Sequence, residues 1–498
     1  MTTLQSESPY FAAIDLGSNS FHMLIVRVND VKLDIIDREK DMVQIARGLN
    51  SDGIIEEATI ERALTCLKKF SERLRDIPLS QIRAVGTKTL RSAHNSHAFL
   101  KSAEKALGTP IQIISGYEEA RLIYSGLYHS IATDNKQRLI VDIGGASTEL
   151  VIGKDQEPEL LESLSLGCAS FTKNIIQRHG GVNDKSMKKV VIAASSELEN
   201  IRKTYLKTDW QIAFGTSGTI KAIAELVAAE DGGAYISKVS LDTLIKKTIS
   251  DGGVMDESVP KLRREVLPAG MAILYAIFTQ LNLEKIHVAD STLKEGLIYD
   301  TIGRFSDYDA RELSVQKLKS QYQIDIPQSD RVAKNALNLW RQIDGPSLVG
   351  ISRTKLLKWA AELHETGLAI SHSGHHNHSY YLLRHSDLAG FSRYEQFFLA
   401  NLVRFHRKKI NLSSIIGMNE EGIASFLPLL LCLRLSVCLH RRREDIKTAI
   451  RLTWENDAYQ LFFENDWLKN NPLTYAGLKQ EASYLKRIGI QLTIDFEE

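Results

Sequence analysis

The chain has 498 residues, of which 43% are hydrophobic and 25% charged, and its formal net charge is +1. This length exceeds one ordinary core and predicts roughly two to four domains, and the composition is typical of a globular protein that folds in water. The balanced charge excludes a global field that would attract nucleic acid or a membrane surface, so a polyanion would have to bind at local basic patches.

The cysteines and the apolar runs predict a cytoplasmic protein. No run of about 18 apolar residues is evident, and residues 1–10 lack the features of a signal peptide, so no membrane insertion is expected. Peripheral membrane association is left open. The cysteines lie far apart without a CxxC pair, which favours buried thiols over a disulfide framework or a zinc site. They are Cys66, Cys168, Cys432 and Cys438.

Strands and helices alternate in the first part of the chain. The clearest helix covers 58–77, where apolar residues recur at spacings of three and four. In chain order the predicted elements are strands within 10–30 and at 32–38, the helix at 58–77, a strand at 82–87, a helix at 95–107, a strand at 111–115 and a helix from Glu118. This alternation predicts an α/β domain with a mixed sheet.

The same order of elements then repeats, and the pattern changes further along. After about residue 305 the sequence is almost continuously helical in pattern, and from 446 it returns to strands around a helix near 474–487. Boundaries near 125, 305 and 445 therefore divide the chain into four predicted domains. These domains cover 1–124, 125–305, 306–445 and 446–498.

One short turn occurs twice, each time between strand-like runs. Residues 15–20 read DLGSNS and residues 142–147 read DIGGAS, so both fit the pattern D-[LI]-G-x-x-S. Glycine permits a positive φ or a close backbone approach, and successive amides in such a turn form a nest for anionic oxygen. Asp15 and Asp142 would repel phosphate alone, which indicates that a divalent cation or a water molecule bridges the acid and the phosphate.

Two copies in two α/β halves predict a cleft that holds phosphate from both sides. A third glycine–hydroxyl turn, GTSGT at 215–219, begins a predicted helix, whose dipole also favours an anion. A single D-x-G turn would be weak evidence, because such turns are frequent in hairpins. The predicted phosphate-binding residues in these turns are Ser18, Asn19, Ser20, Gly144, Gly145, Ala146, Ser147, Gly215, Thr216, Ser217 and Gly218.

These motifs resemble the actin, sugar-kinase and heat-shock-ATPase superfamily, and most of all its exopolyphosphatase and guanosine pentaphosphate phosphohydrolase family. The similar segments are 12–25, 85–91, 114–126, 141–153, 165–171, 215–223 and 293–300. Segment 363–383 extends the likeness and is more similar to long bacterial exopolyphosphatases. The resemblance implies a duplicated actin-like (ribonuclease H-like) fold, followed by an all-α HD-like domain and a small C-terminal α+β domain.

The resemblance also implies hydrolysis of a terminal phosphoanhydride, with Glu119 as the base that activates water. From the residues alone, the favoured interpretation is that Glu118 and Glu119 stabilise the N-terminus of a helix. With the resemblance, Glu119 is expected to be the base and Glu118 the helix-end charge. Arg91 matches a phosphate-binding arginine, whose planar fork suits phosphate, although a surface salt bridge is the alternative.

The metal predicted by the resemblance is Mg²⁺, with Mn²⁺ as a possible substitute. Asp142 and Glu149 match family acids associated with the metal, and Asp15 occupies the equivalent turn. Glu149 follows its turn on a strand, so its side chain could point into the cleft or away from it. Many family members have glycine where Ala146 stands, and its methyl group is tolerated if φ is negative.

The helical region carries histidines and basic clusters. His364 and Glu365 lie where related proteins have a metal-binding His-Asp pair, and 433–443 lacks the expected aspartate, which predicts a degenerate domain that has lost its metal. The histidine-rich segment 372–381 could bind a transition metal, contact phosphate from a loop, or be a solvated loop. Basic clusters at 404–409 and 440–443 are solvated helix faces by default, and could guide polyphosphate.

The leading hypothesis is an exopolyphosphatase that releases terminal orthophosphate from inorganic polyphosphate. Guanosine pentaphosphate, converted to the tetraphosphate alarmone, is the alternative substrate, and both substrates could share one site. A sugar or acetate kinase fits the motifs less well, and a non-catalytic alarmone-binding module would need no base. The resemblance further suggests a homodimer. Nucleic acid is not expected as a partner, because aromatic residues are sparse among the basic clusters.

Overall fold

The computed structural model describes residues 8–29, 32–131, 135–156, 158–231, 235–305, 309–343, 352–415, 418–464 and 467–496. Contacts divide the chain into two compact units, Met1–Ala310 and Arg311–Glu498. The finer division into four domains stays a prediction. The predicted boundary at 306 and most of the N-terminal segment used to exclude a signal peptide lie outside the described residues.

The first unit begins with a five-stranded sheet of order β3-β2-β1-β4-β5. Its first three strands are antiparallel, and β4 and β5 continue the sheet in parallel with β1. The elements are β1 (Tyr10–Leu16), β2 (Phe21–Asn29), β3 (Lys32–Asp41), α1 (Glu57–Arg73), β4 (Ile82–Gly86), α2 (Lys88–Ser92), α3 (Ser96–Leu107), β5 (Ile111–Ile113) and α4 (Gly116–Ser130).

The second sheet of this unit repeats that topology in the order β10-β11-β9-β6-β7-β8. Strands β8, β7, β6, β9 and β11 correspond to β3, β2, β1, β4 and β5, and β10 is an added edge strand. The elements are β6 (Arg138–Ile143), β7 (Thr148–Gly153), β8 (Pro158–Leu164), α5 (Cys168–Phe171), α6 (Asp184–Lys207), β9 (Ile212–Gly215), α7 (Gly218–Asp231), β10 (Tyr235–Ser237), α8 (Lys238–Ser250), α9 (Lys261–Arg264), α10 (Leu267–Gln280), β11 (Lys285–Val288) and α11 (Leu293–Arg304). The predicted duplicated actin-like α/β fold is confirmed.

Local sequence explains where these elements begin and end. In α1 the buried residues recur every three or four positions, while the charged residues between them face solvent. The helix ends at Arg73 rather than at residue 77; Pro78 disfavours helical geometry at Ile77, the residue directly before it, so the helix does not continue to that position. Helix α4 begins at Gly116, earlier than predicted, because the Ser115 hydroxyl accepts a hydrogen bond from the Glu118 amide and caps the helix.

Helices α4 and α11 lie in a core shared by the two sheets. Apolar residues of both helices pack with Phe11 and Leu24 of the first sheet and with Ile140 and Val151 of the second. The two helices also contact each other closely: a Cβ built on Gly296 would overlap the carbonyl oxygen of Leu122. This close crossing joins the halves and holds the ends of β1 and β6 near each other.

The second unit is mostly helical and ends in a small sheet. Its apolar core includes residues of the helices and of the terminal strands alike. The elements are α12 (Ala310–Gln321), α13 (Ile326–Ile343), α14 (Arg353–Leu363), α15 (His375–His385), α16 (Arg393–Arg404), α17 (Glu420–Leu439), β12 (Ile450–Glu455), β13 (Ala458–Phe463), α18 (Pro472–Lys486) and β14 (Leu492–Phe496). The likeness of this unit to an HD domain stays a prediction.

In the described part of the chain, one helix is long and apolar enough to cross a bilayer by length and composition, namely α17. Arg434 interrupts its apolar run, so the helix contains no continuous stretch of 18 apolar residues. Most of α17 is buried in the core of its own unit, and Arg434 is fully buried in an ion pair of 2.6 Å with Glu481. Its surroundings are therefore those of a core helix.

Two loop and surface predictions in this unit are wrong. The histidine-rich segment is mostly the helix α15, with His375 buried, rather than a loop. The basic clusters at 404–409 and 440–443 lie mostly in turns after α16 and α17 rather than along helix faces. Cations near the last turn of a helix interact favourably with its dipole, which accounts for their position.

Candidate functional site

The two D-x-G turns meet in one cleft. Each follows the first strand of its sheet, and a Cβ built on Gly145 would lie 3.3 Å from the Cβ of Ser18. The cleft has a volume of about 160 Å³ and brings most of the predicted site residues together. Those that line it are Asp15, Ser18, Asn19, Ser20, Glu119, Asp142, Gly144, Gly145, Ser147, Glu149, Ser217 and Gly218.

Close approach, rather than positive φ, accounts for the glycines of these turns. Gly17, Gly144 and Gly145 are absent from the positive-φ residues of the described chain. A Cβ on Gly17 would lie 2.8 Å from the carbonyl oxygen of Ser20, closer than real side chains come. Ala146 also lacks a positive φ, so its methyl group is accommodated, and it lines a neighbouring cleft.

Strand pairing places a row of polar side chains beside each acid. In the first sheet Asp15 pairs with His22, which pairs with Lys40. Directly paired residues share one face of a sheet, so all three side chains face the cleft, as its lining confirms.

The corresponding row in the second sheet consists of Asp142, Glu149 and Ser163. The structure settles the direction of Glu149, which lines the cleft and accepts a hydrogen bond of 2.8 Å from the Ser163 hydroxyl. Burial raises the pKa of Glu149 well above its usual value, and the neighbouring acids Glu119 and Asp142 raise it further.

Glu119 projects into the cleft from the first turn of α4. Its side chain is almost fully buried, and Arg91 lies 3.4 Å away while also donating 2.7 Å to the carbonyl of Ile114. Burial raises the pKa of Glu119 to about 7, and Arg91 opposes that increase. The alternative of a surface salt bridge for Arg91 is wrong, because both partners are about nine-tenths buried.

Asp15 and Asp142 carry the features expected of cation ligands. Burial raises the pKa of Asp15 to about 7, and raises that of Asp142 as well. The Thr216 hydroxyl donates 2.7 Å to Asp142 Oδ2, whereas Asp15 Oδ1 is buried without a hydrogen-bond partner. Thr216 therefore acts on the cleft only through Asp142. Of the predicted phosphate-binding residues, Thr216 and Gly215 are not among the described residues that line the cleft.

These acids fit Mg²⁺ better than a metal held by protein alone. Across the described ranges, no three His, Cys, Asp or Glu side chains are arranged as a ready-made ligand set. Protein Mg²⁺ is usually held by one or two carboxylates together with water and substrate phosphate. The unpartnered Asp15 Oδ1 and the raised pKa of Asp15 match this arrangement, because a cation would stabilise the ionised carboxylates.

One histidine and three cationic side chains that no sequence motif indicated also line this cleft. They are His22, Lys40, Arg263 and Lys294. Burial lowers the pKa of Lys40 to about 8, and Arg263 and Lys294 lower it further, so several positive groups are crowded together. Side chains alternate between the two faces of β2 and β3, so the sequence could have placed His22 and Lys40 beside Asp15 if the register of the strands had been known.

A larger cleft of about 840 Å³ adjoins the first and shares Ser18 and Asn19 with it. Apolar residues such as Phe171 line it, together with cationic ones. Side chains of the two halves meet across it: Lys173 donates 2.7 Å to the carbonyl of Leu49, Arg47 pairs with Glu265 at 2.9 Å, and Lys88 donates 3.2 Å to the Ser165 hydroxyl.

Fold and site together define a phosphohydrolase of the duplicated actin-like class. The Ppx/GppA phosphatase family model matches residues 24–305, and the model of that family's domain III matches 310–482. The chain belongs to the Ppx/GppA phosphatase family.

Relatives and solved structures agree with this assignment. The chain is 37% identical over 492 residues to the guanosine-5'-triphosphate,3'-diphosphate pyrophosphatase of Vibrio campbellii, covering 98% of each chain. It is 34% identical over 500 residues to the protein of the same name from Pseudoalteromonas translucida, covering 99% of this chain and 100% of that one. These full-length relatives do not support the expected greater similarity to long exopolyphosphatases.

An exopolyphosphatase structure from Cytophaga hutchinsonii has a TM-score of 0.54 at 23% identity, covering 59% of this chain and 98% of its own. The Aquifex aeolicus Ppx/GppA family member has a TM-score of 0.51 at 22% identity, covering 59% of this chain and 98% of its own. At these identities the structural likeness supports the fold alone.

Proposed function

We propose that the chain hydrolyses the terminal 5'-phosphate of guanosine pentaphosphate, releasing orthophosphate and leaving the tetraphosphate. The observation that carries this proposal is a buried carboxylate, Glu119, in the same small cleft as both phosphate turns. Its pKa of about 7 suits a base that must accept a proton near neutral pH. The full-length similarity to two relatives named for this substrate supports the nucleotide over inorganic polyphosphate.

The proposed mechanism needs no covalent intermediate. Backbone amides of the two turns and the hydroxyls of Ser18 and Ser147 hold the terminal phosphate, and Arg91 offsets its charge. Glu119 accepts a proton from a water molecule as that water attacks the terminal phosphorus. The anhydride P–O bond then breaks, and the shortened nucleotide leaves with the bridging oxygen.

Asp15 and Asp142 would hold Mg²⁺ together with water and substrate phosphate, and Glu149, paired with Asp142, would be a further acid beside the ion. When bound, the ion supplies positive charge that stabilises negative phosphate oxygens. The protein's own part is to keep these carboxylates in a largely buried site, where Thr216 orients Asp142.

The adjoining cleft supports the choice of a nucleotide. It opens from the phosphate turns, is large enough for a nucleoside, and combines apolar surface at Phe171 with nearby cations such as Lys88 and Lys173. Such a lining suits a base and a second phosphate group. Inorganic polyphosphate remains the second candidate substrate, because it presents the same terminal anhydride.

The test measures orthophosphate released from pentaphosphate, polyphosphate and ATP, each with and without Mg²⁺. We expect Mg²⁺-dependent release that is fastest from pentaphosphate. Glu119→Gln should slow it by roughly 10³-fold or more while pentaphosphate still binds, since only the base is lost. Glu57→Gln, a change in the exposed first turn of α1, is the control and should be silent.

Binding without release by the parent protein would refute the enzyme in favour of an alarmone-binding module. Faster release of orthophosphate from polyphosphate than from guanosine pentaphosphate would show that polyphosphate is the preferred substrate. The homodimer and the cytoplasmic location belong to the same proposal, and light scattering of the purified chain would measure its oligomeric state.

A further inference from the structure

A buried ion network lies directly behind the proposed base and serves no step of the mechanism. Its members come from β4, α4 and α11, and each has a side chain that is mostly or fully buried. They are Arg83, Glu118, Arg121, Asp300 and Arg304. The expectation that Glu118 is only a helix-end charge is thus too simple, because its side chain is fully buried.

Asp300 is the centre of this network. Arg83 and Arg121 donate to its two carboxylate oxygens, and Arg304 Nε lies 3.3 Å from Oδ2. These three guanidinium groups hold the pKa of Asp300 well below its usual range, although burial alone would raise it. Asp300 is therefore an anion in the folded protein.

The network continues from Asp300 to the residue beside the base. Arg121 donates 2.8 Å and 2.9 Å to the two oxygens of Glu118, and Arg83 lies 3.8 Å from Glu118 Oε1. Consecutive residues of a helix point about 100° apart, so Glu118 can face this network while Glu119 faces the cleft. Fixing Glu118 fixes the rotation of the first turn of α4, and with it the direction of Glu119.

Stability alone is a weak reason for such a network. A buried ion pair usually gives little net stability relative to well-packed apolar residues, because desolvation offsets the attraction. Asp300 also belongs to α11, whose first turn places Lys294 in the cleft. The network thus connects the base on α4 with α11, the helix that also carries Lys294.

We propose that Asp300 is a positioning residue that, through Arg121 and Glu118, orients Glu119 toward the water it activates. This inference rests on the proposed function. A displacement of about 1 Å at a reacting group can cost on the order of 10²-fold in rate. The network acts on the base rather than on the phosphate turns, so its loss should affect kcat much more than KM.

The test is Asp300→Asn in the full chain, assayed for phosphate release from guanosine pentaphosphate. We expect kcat to fall by roughly 10- to 100-fold with KM changed by less than about threefold. Asp300→Glu, which keeps the charge, should recover part of the loss. Glu481→Gln is the matched control, because Glu481 is also a buried carboxylate paired with arginines, in the second unit.

A double-mutant cycle distinguishes positioning from general damage. In a Glu119→Gln background, Asp300→Asn should cause no further loss of the residual rate, because there is no base left to position. The same fold loss in both backgrounds, or an equal loss from Glu481→Gln, would overturn the inference. If Asp300→Asn does not fold, Arg83→Lys tests the same link. Full activity of Glu119→Gln would instead refute the proposed function.

Discussion

The two halves of the cleft share one strand topology but differ in charge. Beside Asp15 the first sheet places His22 and Lys40, and beside Asp142 the second sheet places Glu149 and Ser163 at the equivalent positions. Duplication thus conserved where side chains point, while their chemistry diverged.

This divergence fits a polyanionic substrate that is accompanied by a cation. A cleft with acids on both rows would repel phosphate, and one with cations on both would exclude Mg²⁺. In the proposed function the first row attracts the substrate and the second row supports the ion, while both contribute one aspartate. Each prediction below tests one part of this assignment.

The largest effect is expected at the two aspartates. Asp15→Asn and Asp142→Asn should each reduce phosphate release by roughly 10²- to 10³-fold, because each removes a charge from the proposed Mg²⁺ site. The measurement is the initial rate over a range of Mg²⁺ concentrations. Asp184→Asn, in an exposed ion pair, is the control. If Asp15→Asn stays active while Asp142→Asn does not, the two turns are not equivalent in function.

A smaller effect is expected at the ends of the rows. Lys40→Met should raise KM for guanosine pentaphosphate about tenfold, because a cation facing the cleft is lost; a hydrogen bond to a charged group is worth about 1.5–3 kcal/mol. Ser163→Ala should change KM by less than about threefold, since this hydroxyl contacts Glu149. Steady-state kinetics of both variants measure the difference. Equal effects would contradict the division of roles.

The smallest expected effect is an increase in Tm on adding Mg²⁺, the size of which depends on pH. The folded-state pKa of Asp15 is about 7, above its ordinary value of 3.8, so folding favours the protonated acid and stability falls as pH rises from about 4 through 7. Mg²⁺ prefers the ionised form and should raise Tm by about 3 °C at pH 8 and by much less at pH 5.5. Differential scanning calorimetry measures this shift.

Asp15→Asn provides the control for that measurement. The variant cannot ionise at this position, so much of the difference between the two pH values should disappear. A Tm increase of equal size at both pH values in the parent would show that Mg²⁺ does not bind the buried acids.

Local patterns made the turns and the duplicated fold predictable from sequence. Asp15 and Asp142 each lie within a short motif formed by one strand and the turn that follows it. The phosphate-binding role of such a motif can therefore be predicted without knowing how the strands pair. The same holds for Glu119, where the resemblance and the helix start lie within a few residues.

Other parts of the site depend on contacts between distant segments. Arg83 and Asp300 are 217 positions apart, and nothing in either local sequence identifies the other as its partner. His22 and Lys40 face the cleft only because β1, β2 and β3 pair in one particular register. The periodicity of the histidine-rich α15 gives little sign of a helix, because two of the three residues that it buries, His375 and Ser379, are polar and only Leu383 is apolar.

The side chains that meet across the larger cleft make entry into it energetically easy. The Arg47–Glu265 pair is solvent-exposed, and the long Lys173 side chain can swing away without any change in backbone. An exposed ion pair is worth less than about 1 kcal/mol and weakens in salt. A large ligand can therefore enter the larger cleft by displacing the ends of these flexible side chains. Because salt weakens the exposed ion pair, added salt should increase the rate of entry.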